Sequence, residues 1–130
     1  MDFTTRLAYA SKKTFIGKLA YLMLKLMGVE LPRSVRIGTD LEIAHGGFGV
    51  VIHSKAQIGN RVKLYPGVTL GRADIYKAAT DSQFEGILIE DDVILSPGCK
   101  VLCREGIHRK HWLNPCLLEL LCKGPVRCYA

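Results

Sequence analysis

No apolar run in the 130-residue sequence approaches the length a bilayer-spanning helix needs, roughly 20 residues. The opening stretch MDFTTRLAYASKKTF lacks the n-region, h-region and small-residue cleavage pattern of a secretory signal, so cytoplasmic residence is the default expectation. The five cysteines (Cys99, Cys103, Cys116, Cys122 and Cys128) form no CxxC pair and are odd in number. A secreted disulfide framework normally shows an even count, so reduced thiols are expected. Cys103, His108, His111 and Cys116 match no standard zinc-ligand spacing, and no metal is expected. The length supports one domain with one continuous core, not two.

The formal charge is +6, with part of the excess in Arg6, Lys12, Lys13, Lys18 and Lys25. Nucleic acid, an anionic membrane surface, a phosphate-rich cofactor such as CoA, or plain solvent all suit such a surplus. Single-stranded nucleic acid is disfavoured, because the charged stretch lacks interleaved aromatics for base stacking.

Residues 4–27 read as one amphipathic helix: Leu7, Phe15, Ile16, Leu19, Leu22, Met23, Leu26 and Met27 recur near helical spacing between cationic residues. Gly28 supplies a C-terminal stop and Pro32 prevents resumption. The apolar stripe is expected to dock on the first coil of the downstream repeat, with a weak membrane-surface contact as the other use of such a helix.

From Ile37 the period changes to six. Ile37, Ile43, Ile52, Ile58, Leu64 and Leu70 form one series of leads, and Ile89, Leu95 and Val101 a second. Three extra residues separate Ile43 from Ile52, and a longer excursion follows Leu70. Four residues after most leads stands another residue able to face inward: Leu41, Gly47, Ala56, Val62, Val68, Val93 and Cys99. Neither a helix nor an alternating strand produces this pattern. A solenoid of triangular cross-section does, because each short strand sends one aliphatic lead inward before the chain turns. The fold class is therefore mainly β, a parallel β-helix of about three coils. Domain limits are expected at 1–28 (helix), 29–106 (β-helix) and 107–130 (atypical tail). The excursion RADIYKAATDSQFEG is read as a loop at a corner. The tail IHRKHWLNPCLLELLCKGPVRCYA has no hexad and should be irregular, with a short helix at 117–122; it is either a cap for the open end or the product of a truncation or frame shift after Glu105.

The runs VELPRSVRIGTDLEIAHGGFGVVIHSKAQIGNRVKLYPGVTLG (29–71) and ILIEDDVILSPGCKVL (87–102) resemble the serine acetyltransferase-like branch of the hexapeptide-repeat acyltransferases. The resemblance implies left-handed winding, a homotrimer, and acetyl-CoA lying between neighbouring subunits. It also implies direct acetyl transfer to an acceptor hydroxyl with a histidine base, matched here by His45, and an orienting carboxylate matched by Glu30. Cofactor contacts would come from Gly71 and from the backbone amides of Gly98 and Cys99, and oxyanion donors from glycines around Gly46, Gly47 or Gly71. The chemistry suits these types: imidazole has the nearest ordinary pKa for deprotonating an alcohol during attack, and a carboxylate on its far nitrogen fixes the tautomer. His53 is read as a surface residue, not a second base.

Four departures bear on the expectation. Serine acetyltransferases carry a second histidine, for the amino-acid substrate, where this chain has Gly86; they carry aspartate where it has Ala44; and a large helical domain precedes their β-helix. Pro97 also removes an amide from the later coils. The acceptor is therefore expected to be serine or a sugar hydroxyl. The alternative is a catalytically inactive β-helix serving as an oligomeric scaffold or paralogue-binding subunit.

Overall fold

The computed structural model describes residues 2–13, 15–73 and 86–103, together with the backbone of 122–123 and 126–129. The N-terminal segment is two helices rather than the single one expected: α1 (Phe3–Ala10) and α2 (Gly17–Leu26). The break comes from a residue remote in sequence. Arg33 donates through Nε to the Ser11 carbonyl (3.0 Å) and through Nη2 to the Lys13 carbonyl (3.2 Å), while Lys12 Nζ donates back to the Pro32 carbonyl (2.9 Å). Carbonyls that would continue a helix are thereby drawn into a turn. α2 ends as the sequence suggests, with Gly28 at φ +76° and the Val29 amide donating to the Leu24 carbonyl at 2.9 Å.

Nine short strands come next: β1 (Arg36–Ile37), β2 (Glu42–Ile43), β3 (Val51–Ile52), β4 (Ala56–Ile58), β5 (Lys63–Leu64), β6 (Thr69–Arg72), β7 (Gly86–Ile89), β8 (Ile94–Leu95) and β9 (Lys100–Cys103). Every third strand pairs in parallel, giving the columns β1-β4-β7, β2-β5-β8 and β3-β6-β9. Register places the leads above one another: Ile37, Ile58 and Ile89; Ile43, Leu64 and Leu95; Ile52, Leu70 and Val101. All but the half-buried Ile37 are buried in one core that runs the length of the solenoid. Each fully buried lead contributes about 1.5–3 kcal/mol.

One corner is turned by a stack of glycines in the left-handed region: Gly28, Gly49, Gly67 and Gly98, with φ between +73° and +76°. The amide of each of the last three donates to the layer before it, to the carbonyls of Gly28, Phe48 and Pro66 at 2.9 Å. Where proline precedes the glycine, as at Pro66 and Pro97, its fixed φ suits the first central position of a type II turn. A second corner stacks Asp40, Arg61 and Asp92, also at positive φ, and Arg61 grips Asp92 bidentately at 2.6 and 2.8 Å.

The open N-terminal end of the solenoid is closed by α1. Thr5 Oγ1 accepts from the Ile43 amide (3.0 Å), and the Tyr9 hydroxyl serves two backbone groups of the first coil. The docked face of α2 is Gly17, Ala20 and Leu24, not the large apolar stripe expected to dock; Leu19, Leu22 and Leu26 point outward. Small residues permit the close approach: a Cβ on Gly17 would stand 2.6 Å from the Ser11 carbonyl oxygen.

The tail, where described, is strand and not irregular chain or helix. β10 (Cys122–Lys123) and β11 (Val126–Tyr129) pair antiparallel with β8 and β7, and so cover the C-terminal edges of two columns. A segment at that edge gains the ladder bonds that β7 and β8 would otherwise leave unmade. Of the helix expected at 117–122, Cys122 is instead in β10 and the rest lies outside the described residues, as does nearly all of the loop at 73–85. The reduced state expected of the cysteines is corrected at two positions, since Cys99 and Cys103 are disulfide-bonded. An odd total excludes only complete pairing within one chain. Among the described residues, no helix is long and apolar enough to cross a membrane and no side-chain cluster is placed to hold a metal ion. Of the four positions weighed for zinc, His108, His111 and Cys116 lie outside them.

Candidate active site

The insertion of three residues between β2 and β3 makes room for a projecting corner, the tight helical turn Ala44–Gly47. Within it His45 takes a left-handed conformation (φ 51°, ψ 38°), followed by Gly46 at φ +73°. Such a backbone costs a non-glycine residue about 1 kcal/mol or more, which points to a role for the residue held there. Positive φ alone does not mark a site, because Asp40, Arg61 and Asp92 adopt it simply to turn a corner. What distinguishes His45 is its place on the inserted bulge, where an exposed imidazole lines a cleft of about 480 Å³.

That cleft is lined by Asp2, Thr5, Asp40, Leu41, Glu42, Ile43, Ala44, His45 and Tyr65. β2 supplies its floor, α1 one wall, and Tyr65, just beyond β5, the other. The ring centroids of Tyr65 and His45 are 6.0 Å apart with planes tilted by 50°. Three carboxylates give the cleft a negative character. Asp2 also accepts from the Phe3 amide (2.8 Å), and Glu42 pairs with Lys63 (2.8 Å), whose own pKa is raised by that bond. Sequence reading missed Tyr65, Asp40 and Glu42. The signal was available in part: Glu42 and Tyr65 flank leads in adjacent layers of one column, so both must face outward near the corner that carries His45.

Glu30 stands elsewhere. It forms a parallel bridge with Val51 and heads an outward column that continues through Thr69 to Lys100. With Pro32, Val51, Ile52, His53, Ser54, Thr69, Leu70 and Gly71 it lines a second cleft, of about 290 Å³. Thus the structure brings Glu30 together with Gly71 and His53, and His45 together with Tyr65, Asp40 and Glu42. The two clefts share no residue. His53 is half-buried, and its pKa is pushed down by burial first, then by Lys55 and Arg72. Its Nδ1 accepts from the Lys55 amide at 3.1 Å, so the neutral ring carries its proton on Nε2.

The amides assigned from sequence to the cofactor are used by the fold. Gly98 N donates to the Pro66 carbonyl at 2.9 Å, and Cys99 N closes the Ser96–Cys99 turn at 3.0 Å. Both amides thus hold stacked turns together, that of Gly98 between layers and that of Cys99 within its own. Gly86 is likewise set by packing. At φ +151°, a Cβ there would lie 2.5 Å from the Lys55 carbonyl oxygen, so the strand has no room for the histidine that serine acetyltransferases carry at the matching position.

A three-sided parallel β-helix with a histidine displayed on a corner bulge is the architecture of a hexapeptide-repeat acyltransferase. Within that class the chain is serine acetyltransferase-like. It is similar to the serine acetyltransferase of Bacillus licheniformis, with 36% identity over 95 residues that cover 72% of this chain and 41% of the relative. It is similar also to that of Helicobacter pylori, with 36% identity over 101 residues, 75% of this chain and 56% of the relative. Among solved structures, the serine acetyltransferase of Neisseria gonorrhoeae in complex with serine superposes with a TM-score of 0.59 at 22% identity, covering 78% of this chain and 43% of that one. Isoform 3 from Entamoeba histolytica, in complex with cysteine, gives 0.56 at 24% identity, covering 76% and 36%. No family model matches. The chain spans 41% and 56% of the two relatives' lengths.

Proposed function

We propose that the chain is a cytoplasmic, acetyl-CoA-dependent O-acetyltransferase built on a left-handed β-helix of about three coils. His45 acts as the general base on the acceptor hydroxyl, and serine is the favoured acceptor. The observation that carries the reading is the exposed imidazole of His45 on a strained corner bulge, in a chain similar to serine acetyltransferases. The acceptor choice rests on charge. Glu42 is paired with Lys63, while Asp2 and Asp40, which line the same cleft as His45, favour a hydroxyl compound that also bears an ammonium group over one bearing phosphate.

During attack the imidazole takes the hydroxyl proton as the oxygen bonds to the thioester carbon, and CoA leaves as thiolate. Glu30 orients His45 only where the two clefts meet. In a homotrimer the face carrying Glu30, Thr69 and Gly71 would lie beside a neighbouring copy, and the acetyl donor between them. A second reading, an inactive scaffold that assembles with copies or paralogues, is favoured by the separation of Glu30 from His45 within one chain.

Turnover decides between them. Purified protein with acetyl-CoA and a panel of serine and sugar acceptors should release free CoA thiol, fastest with serine. No release with any acceptor, and no CoA binding, would leave the scaffold.

A further inference from the structure

The outer face of α2 is unusual for a helix already docked on a core. Its buried side is Gly17, Ala20 and Leu24. At 3.6 residues per turn, Leu19, Leu22, Met23 and Leu26 fall on the opposite side. Phe15 (98% exposed) and Ile16 (58%) extend that side beyond the helix start, and Leu26 (80%) ends it. The result is a continuous convex ridge of large apolar side chains. Single exposed leucines need no explanation, whereas a contiguous ridge does.

The charges beside the ridge say what covers it. Lys18 and Lys25 lie together along one flank, and Lys13 precedes Phe15; all three are exposed. Between Asp2 and Glu30 the sequence contains no acidic residue at all, against five cations. Of the lysines in this segment, Lys12 is the one turned inward, bonded to the carbonyls of Pro32 and Arg33. A second copy docked ridge to ridge would bring cations against cations with nothing from this segment to neutralise them. An anionic bilayer accepts both features, since a protruding apolar ridge enters the acyl boundary while flanking lysines meet headgroup phosphates.

We propose that the outer face of α2 holds the protein peripherally on an anionic lipid bilayer, with Phe15, Ile16, Leu19, Leu22 and Leu26 inserted and Lys18 and Lys25 at the headgroups. The acyl-transfer site is not involved, so the proposal stands or falls separately from the reaction.

The test is co-sedimentation of the full chain with vesicles of equimolar phosphatidylglycerol and phosphatidylcholine, with phosphatidylcholine alone, and with the anionic vesicles in excess inorganic phosphate. Binding to the anionic vesicles is expected, weakened but not abolished by salt, and weakened by phosphate no more than by sodium chloride of equal ionic strength. The double variants Leu22→Ser with Leu26→Ser, and Lys18→Gln with Lys25→Gln, should each lose about tenfold in partitioning. All four residues are exposed, so an unchanged circular dichroism spectrum certifies the fold. Equal binding to neutral vesicles, competition by inorganic phosphate beyond that of sodium chloride, or no binding overturns the proposal. So does a leucine variant that loses self-association while the parent ignores vesicles, which would make the ridge a contact between copies.

Discussion

Tyr65 packs its ring beside that of His45, centroids 6.0 Å apart, and so limits the directions the exposed imidazole can take. The backbone fixes both partners. His45 is held by its left-handed conformation, and Tyr65 by its amide, which donates to the Leu95 carbonyl at 3.1 Å. If the ring contact positions the base, Tyr65→Phe keeps the rate near that of the parent, and Tyr65→Ala lowers kcat about tenfold or more. Steady-state kinetics of the two variants with serine check this. Equal rates in both would show that the contact is incidental.

The Tyr9 hydroxyl closes the first coil by donating to the Gly38 carbonyl at 2.7 Å and accepting from the Leu41 amide at 2.9 Å. Tyr9→Phe preserves the ring and removes both bonds, which should cost about 1–3 kcal/mol. The urea midpoint should fall with the slope unchanged. A midpoint equal to the parent's would mean that water satisfies the coil end equally well.

At the glycine corner, Gly67→Ala isolates the backbone cost. The added methyl would meet Gly98 Cα at 3.5 Å, an ordinary contact, so the φ of +74° is what alanine must bear. A loss of about 1–2 kcal/mol is expected. Thermal unfolding measures it, and a variant as stable as the parent would mean the corner relaxes.

His53 gives stability a pH dependence. Its folded pKa lies below the ordinary value of 6.5, so between the folded and unfolded values the unfolded chain binds more protons. Stability should therefore fall as pH drops below about 6.5, and His53→Gln should flatten that part of the curve. Urea midpoints at half-unit pH steps decide it. An unchanged slope in the variant assigns the effect to other groups.

The solenoid was legible because its core repeats. Leads six apart and their partners four residues later are nearly all buried as the pattern requires, down to Gly47 and Cys99. Even the irregularity between Ile43 and Ile52 carried meaning, since those extra residues are the bulge that displays His45. What stayed hidden depends on contacts far apart in sequence. Arg33 breaks the helix at Ser11, and Tyr65 reaches His45 from the layer beneath. The family resemblance implied a pair of Glu30 with His45, yet within one chain the two line different clefts. The exposed stripe on α2 arose from the same limit: helical periodicity finds an apolar face without telling which side docks.

Whether His45 removes the acceptor proton is decided by serine-dependent release of CoA thiol from the parent, from His45→Ala, and from His45→Ala with added imidazole. A histidine base requires a loss of about 10²–10⁴ in kcat for the variant, with partial recovery in imidazole. A His45→Ala protein that turns over at the parental rate would refute that role.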